Sequence, residues 1–81
     1  MRMVFEGHTD EKGNTVKLVH VGGLGCFDLV AAAMVADVEE QMAEQLEAKL
    51  GAATVTVTVD SEHLYPKPRI APDLIYVLDV T

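Results

Sequence analysis

The sequence predicts an α+β fold in which one long helix packs on one face of a four-stranded, mainly antiparallel sheet, in the order ββαββ. Three observations predict it. A stretch of helical periodicity runs from about Leu29 to Leu50, two segments of alternating polarity precede it, and two strand-like segments follow it. With 81 residues, the chain is expected to form a single domain over residues 1–81.

The N-terminal part of the chain predicts a hairpin. Residues alternate between apolar and polar in Met1–Glu6 and again in Thr15–Val21, as strands with one buried face do. Between them, Gly7–Asn14 is rich in residues that favour turns. We therefore expect two antiparallel strands joined by a loop longer than two residues.

The helix is predicted to begin after Asp28, which suits an N-cap position, and to end before Gly51, which suits the residue after a helix. At 100° per residue, four acidic side chains fall on the face opposite the apolar stripe. They are Asp37, Glu40, Glu44 and Glu47. We expect this acidic face to be exposed, either as a partner-binding surface or simply as a solvated face.

The first two turns of the predicted helix are apolar nearly all round, which implies a second contact there. The same chain could cover these residues, or a second copy could, so that the protein forms a homo-oligomer, with a dimer expected.

Two further strands are predicted at Thr54–Val59 and Leu74–Val80. The second is apolar on both faces, as in a central strand. The loop between them, Asp60–Asp73, contains all three prolines and is long for so small a domain. It is predicted to be either a rigid connector or a partner-contacting loop, and three of its residues are candidate contacts: Tyr65, Lys67 and Arg69.

The charge of the chain points to a class of partner. Thirteen acidic residues against six basic ones give a formal net charge of −7, which opposes binding to nucleic acid and favours encounter with a basic protein surface. No apolar run is long enough to cross a membrane, and the N-terminus does not resemble a signal peptide. A cytoplasmic location is expected by default, and Cys26, the only cysteine, cannot form an intrachain disulfide.

An alternative ligand site is predicted before the helix. Its residues are Gly22, Gly23, Gly25 and Cys26. Glycines let a backbone approach a ligand closely, and the N–H groups of a helix N-terminus attract anions or nucleotides. The spacing matches neither a phosphate-binding P-loop nor a dinucleotide fingerprint, and a tight turn explains the glycines equally well. Cys26 is expected to be a small buried side chain.

We find no spacing in the sequence that is typical of a catalytic, metal or cofactor site, so we expect no enzyme activity, no metal and no cofactor. The sequence instead predicts a small acidic domain that binds protein. One hypothesis is an inhibitor that occludes a basic, nucleic-acid-binding surface, as a phage anti-defence protein would. An anion- or nucleotide-binding oligomer and a structural self-assembling module are the alternatives.

Overall fold

The fold was analysed in a computed structural model that describes residues 1–60, 65–66 and 74–81, with positions 65 and 66 described as backbone only. The described residues form six strands and one helix. They are β1 (Arg2–Thr9), β2 (Thr15–His20), β3 (Cys26–Ala32), α1 (Val35–Leu50), β4 (Val57–Val59), β5 (Tyr65–Pro66) and β6 (Leu74–Val80).

The strands form one curled antiparallel sheet in the order β3-β2-β1-β6-β4. Strand β6 pairs with β1 along one edge, and β4 and β5 both pair with its other edge. The sheet therefore has five strand positions. The predicted α+β class and the packing of one helix on an antiparallel sheet are confirmed, but the predicted count of four strands is wrong.

The missing strand is β3, which lies where the sequence predicts the start of the helix. Alternate side chains Phe27 and Leu29 are buried while Cys26 and Asp28 are exposed, which is the periodicity of a strand. The cause is tertiary, because β3 pairs along β2 and adds Phe27 to the core. The order ββαββ and the N-cap at Asp28 are consequently wrong.

The helix begins after Met34, whose backbone N–H donates to the Asp37 carboxylate at 3.2 Å. Its other end is as predicted. Gly51 adopts the left-handed conformation with φ 68°, and its N–H donates to the Glu47 carbonyl. A residue without a Cβ adopts this conformation at little cost, which is why the helix ends there.

The core lies between the helix and one face of the sheet. Val38, Met42 and Leu46 form the buried face of α1 and are at most 1% exposed. They pack with side chains from the sheet, chiefly Phe5, Leu18, Phe27 and Leu78. The apolar stripe predicted for the helix is thus confirmed from Val38 onward.

The C-terminal strands follow the prediction closely. Strand β6 matches the predicted range and occupies the middle of the sheet, between β1 and β4. Strand β4 is shorter than predicted, but Val55, Val57 and Val59 are all buried as expected. The hydroxyl groups of Tyr76 in β6 and Thr15 in β2 form a buried hydrogen bond of 2.7 Å.

The predicted N-terminal hairpin is confirmed by the antiparallel pairing of β1 and β2. Its loop is held by Asp10, whose carboxylate accepts the backbone N–H groups of Lys12 and Asn14, each at 2.9 Å. The hydrogen bond from Asn14 is the main reason that the pKa of Asp10 lies below its ordinary value.

Candidate protein-binding surface

Helix α1 supplies hydrogen-bond acceptors to the outer edge of β4 and of the residues that lead into it. The Glu39 carboxylate accepts the Val59 N–H at 2.9 Å, and the Glu47 carboxylate accepts the Val55 N–H at 3.0 Å. Eight helix residues rise about 12 Å and four strand residues about 13 Å, so the two spacings match. These carboxylates therefore take the place of a neighbouring strand.

The same helix also provides hydrogen-bond partners for the opposite edge of the sheet, which is strand β3. The Gln41 side chain accepts the Val30 N–H at 2.7 Å and donates to the Val30 carbonyl at 2.9 Å, while Gln45 donates to the Asp28 carbonyl at 2.9 Å. A free sheet edge invites pairing with another chain, and covering it prevents that. The sequence analysis missed Gln41 and Gln45, although two amides at i and i+4 on a helix otherwise rich in acids were a detectable signal.

The structure divides the four predicted acidic residues into two pairs. Asp37 and Glu47 are half-buried, and each carboxylate accepts a backbone N–H of its own chain. Glu40 and Glu44 are exposed, and neither forms an ion pair with any residue in the described part of the chain. Only Glu40 and Glu44 thus remain as fully accessible carboxylates of the predicted acidic face.

Apolar side chains are exposed where β3 leads into the helix. Val30 is 84% exposed and Met34 is 67% exposed, and Ala31 and Ala33 are also exposed. We call these four residues the junction patch. The second contact predicted around the start of the helix thus corresponds to an open surface. Val30 and Ala31 are exposed residues of β3, and Ala33 and Met34 lie between β3 and the helix.

Carboxylates border the junction patch. Gln41, which holds Val30, has Asp37 one turn before it and Glu44 one turn after it on the same side of the helix. The hairpin loop approaches from another side, since Ala31 shares a cleft with Asp10, Glu11 and the basic Lys12. The patch is therefore an apolar surface whose rim is mainly negative.

The predicted ligand site at Gly22, Gly23, Gly25 and Cys26 lies in the turn between β2 and β3 and at the first residue of β3. Gly23 and Gly25 have positive φ values of 88° and 120°, and the turn is closed by a hydrogen bond from the His20 N–H to the Gly25 carbonyl. The helix begins only at Val35, beyond β3, so the prediction that this turn precedes a helix N-terminus is wrong.

Cys26 is exposed at the start of β3, and the expectation that it is buried is wrong. It lines a cleft with Phe27, Gln45 and Lys49. The Lys49 ammonium lies 5.2 Å from the centre of the Phe27 ring, a cation–π contact. The Lys49 side chain therefore packs against Phe27, next to the turn between β2 and β3.

Of the three predicted contacts of the proline-rich loop, the structure describes only the backbone of Tyr65. Tyr65 belongs to β5, where its backbone pairs with Ile75. Lys67 and Arg69 lie outside the described residues, as does the side chain of Tyr65. Their role as partner contacts stays a prediction.

The N-terminal end of β1 carries the ion pairs of the described residues. The Arg2 guanidinium contacts the Asp79 carboxylate at 3.0 Å and the Asp60 carboxylate at 3.2 Å. The hydrogen bond from Arg2 is the main reason that the pKa of Asp79 lies below its ordinary value, and Asp79 in turn raises the pKa of Arg2. This cluster ties the ends of β1 and β6 together.

Across residues 1–60 and 74–81, no group of three or more His, Cys, Asp or Glu side chains is arranged to hold a metal ion. The described part of the chain also contains no helix of the length and apolarity that crossing a membrane requires. Comparison of the chain with protein-family models, curated proteins and solved structures gives no match.

Proposed function

We propose that this chain is a non-enzymatic protein-binding domain that docks on a basic surface of a partner protein through the junction patch and its carboxylate rim. The observation that carries the proposal is the exposure of Val30 and Met34, at 84% and 67%, next to a helix that carries the accessible carboxylates Glu40 and Glu44, of which Glu44 lies one turn after Gln41.

The apolar part of this surface supplies affinity. Burying a valine or methionine side chain that is otherwise exposed contributes about 1.5–3 kcal/mol. The backbone beneath Val30 is already held by both ends of the Gln41 amide, so little ordering is needed when a partner arrives. Val30 and Met34 therefore suit the centre of a contact.

The carboxylates favour basic partners over acidic ones and increase the rate of association. A net charge of −7 accelerates encounter with a basic partner and disfavours an acidic one, such as nucleic acid. Rim charges act mainly on the association rate and are screened over about 8 Å at physiological salt. The binding should therefore weaken as salt is added.

The biological consequence that we infer is inhibition by occlusion. An acidic domain seated on a basic, nucleic-acid-binding surface competes with the phosphate backbone for the same lysines and arginines. A phage anti-defence protein would act in this way. A cytoplasmic setting suits the exposed free thiol of Cys26, because reducing compartments keep thiols unpaired.

A matched pair of charge variants tests the proposal. Glu40→Gln/Glu44→Gln and Ala52→Lys/Ala53→Lys each change the formal charge from −7 to −5, but only the first alters the proposed rim. Ala52 and Ala53 are exposed beyond the end of the helix. Proteins retained from a host lysate by the immobilised wild-type domain are identified, and the affinity of each for both variants is measured by biolayer interferometry at low and high salt.

We expect the rim variant to bind a basic protein at least about tenfold more weakly than the charge-matched control, with an affinity that falls steeply as salt rises. Equal losses in the two variants would mean that net charge alone acts. A salt-independent affinity, or a retained protein without a basic surface, would contradict the proposal.

A further inference from the structure

A histidine side chain closes the turn between β2 and β3. His20, the last residue of β2, is half-buried, and its Nδ1 accepts the backbone N–H of Leu24 at 2.9 Å. The backbone of His20 also bonds to this turn, because its N–H donates to the Gly25 carbonyl at 2.9 Å and its carbonyl accepts the Gly23 N–H at 3.2 Å. Three hydrogen bonds of the turn therefore involve one residue.

The imidazole ring of His20 is held in place on two sides. It packs against the buried Phe5 ring, with the ring centres 5.0 Å apart. It also lies over Gly22, where an added Cβ atom would come within 2.5 Å of the ring Cε1 atom. A side chain at position 22 would have to displace the ring, so the glycine keeps Nδ1 in front of the Leu24 N–H.

The hydrogen bond from Leu24 requires a neutral ring. A ring nitrogen that accepts a hydrogen bond carries no proton, so the neutral imidazole holds its proton on Nε2. When the ring is protonated, both nitrogens become donors, and the proton on Nδ1 points at the Leu24 N–H. Histidine is the side chain that ordinarily changes charge between about pH 5 and pH 8. Mild acid therefore removes this hydrogen bond.

The charged and titratable groups of the neighbouring elements do not replace the lost acceptor. Helix α1 presents Lys49, whose ammonium lies against the turn and can only donate hydrogen bonds. Glu6 of β1 and Cys26 of β3 are both paired with Val19, the neighbour of His20 in β2. They therefore point to the opposite face of the sheet from the ring. None of these three groups can accept a hydrogen bond from a protonated His20.

We propose that His20 is an acid-sensitive latch on the turn between β2 and β3, which is closed while the imidazole is neutral and opens when the ring takes up a proton. Because the closed turn needs the unprotonated ring, its stability is complete at neutral and higher pH and is lost as the pH falls through the range in which His20 titrates. Opening uncovers Leu24, which packs against the core. The latch thereby couples a fall in pH to the exposure of an apolar side chain beside β3.

Amide hydrogen exchange tests the latch in the intact chain. The protection of the Leu24 amide, measured as its exchange rate relative to an unstructured peptide at the same pH, should fall at least about tenfold between about pH 8 and pH 5. Lys12 and Asn14 provide the internal control, because their N–H groups are held by the Asp10 carboxylate. This carboxylate stays charged over the same range, so the protection of the two control amides should not change.

Two substitutions of His20 separate its titration from its role as an acceptor. His20→Asn offers a carbonyl oxygen in place of Nδ1 and does not titrate, so the protection of Leu24 should not depend on pH. His20→Phe keeps a ring against Phe5 but has no acceptor, so Leu24 should be poorly protected at both pH values. Circular dichroism checks that each variant is folded.

The wild-type ring gives a direct readout of the same step. Long-range ¹H–¹⁵N spectra should show an Nδ1 without a proton at about pH 8, and its protonation should coincide with the loss of protection at Leu24. Protection of Leu24 that is unchanged between the two pH values would overturn the proposal. The same would follow if His20→Asn lost protection as the pH fell, or if His20→Phe protected Leu24 as well as the wild-type chain does at the higher pH.

Discussion

Replacing Glu47 by alanine is expected to destabilise the fold, whereas the same replacement at Glu44 is not. The Glu47 carboxylate accepts the Val55 N–H at 3.0 Å in a half-buried position, and a hydrogen bond to a charged group contributes about 1.5–3 kcal/mol. Glu44 is exposed and lies one turn from the like charge of Glu40, so its removal should gain a few tenths of a kcal/mol.

The gain from alanine's helix propensity is common to both variants and cancels in their comparison. We take the lower end of the hydrogen-bond range for a partly buried site, so the two variants should differ by about 1.5–2 kcal/mol in the free energy of unfolding. In a domain of this size that corresponds to roughly 10 °C in Tm.

Urea denaturation of Glu47→Ala and Glu44→Ala measures the difference. Amide hydrogen exchange locates it, because Val55 should exchange faster in the first variant only, while Val59, held by Glu39, stays protected in both. Equal unfolding midpoints, or an unchanged exchange rate at Val55, would refute the idea that helix carboxylates close the edge of β4.

Three further predictions concern stability. Tyr76→Phe should cost about 1–3 kcal/mol in urea denaturation, because it leaves the buried Thr15 hydroxyl without its partner; a neutral result would mean that water replaces the bond. Gly51→Ala should lower the free energy of unfolding by about 1 kcal/mol, because its φ of 68° strains any residue with a Cβ, and an unchanged Tm would contradict this reason. Hydrogen bonds to their charged forms lower the pKa values of Asp10 and Asp79, so the stability that these carboxylates contribute is complete above about pH 4 and is lost as the pH falls below it. In thermal melts, Asp79→Asn should therefore lose less Tm between pH 5 and pH 2 than the wild-type chain does. An equal loss of Tm in both proteins would refute the assignment to Asp79.

The parts of the fold that could be predicted from the sequence are those fixed by local signals. Strand β6 is a continuous apolar run, the valines of β4 alternate strictly, and Gly51 marks the helix end. In each case, the pattern that identifies the element lies within the element's own residues. Pairing with distant parts of the chain sets the position of these elements in the fold but does not change their type.

The start of the helix could not be predicted in this way. Residues 26–32 are apolar enough on every side to form either a helix turn or a strand, and periodicity alone does not separate the two for a short apolar run. Pairing with β2 decides in favour of the strand, since it buries Phe27 and Leu29 in the core. That choice depends on tertiary structure, which the local pattern does not contain.

The candidate surface was only partly predictable for the same reason. The acidic face follows from helical spacing, and Glu40 and Glu44 are indeed exposed. Whether an acid on that face is free depends on what lies beside it, and the chain that leads into β4 lies close enough for the Val55 N–H to reach Glu47. The junction patch also depends on β3, because a helix beginning at Leu29 would have placed Val30 differently.

Contact of a basic partner with the junction patch and its carboxylate rim can be mapped one residue at a time. The most direct measurement is a ¹⁵N chemical-shift titration of the labelled domain with a protein that the wild-type domain retains. If the partner docks there, the largest changes should occur at the amides of Val30, Met34 and Glu44, with small changes in the turn at Gly23 and Gly25. Changes centred on that turn, with Val30 and Met34 unaffected, would contradict it.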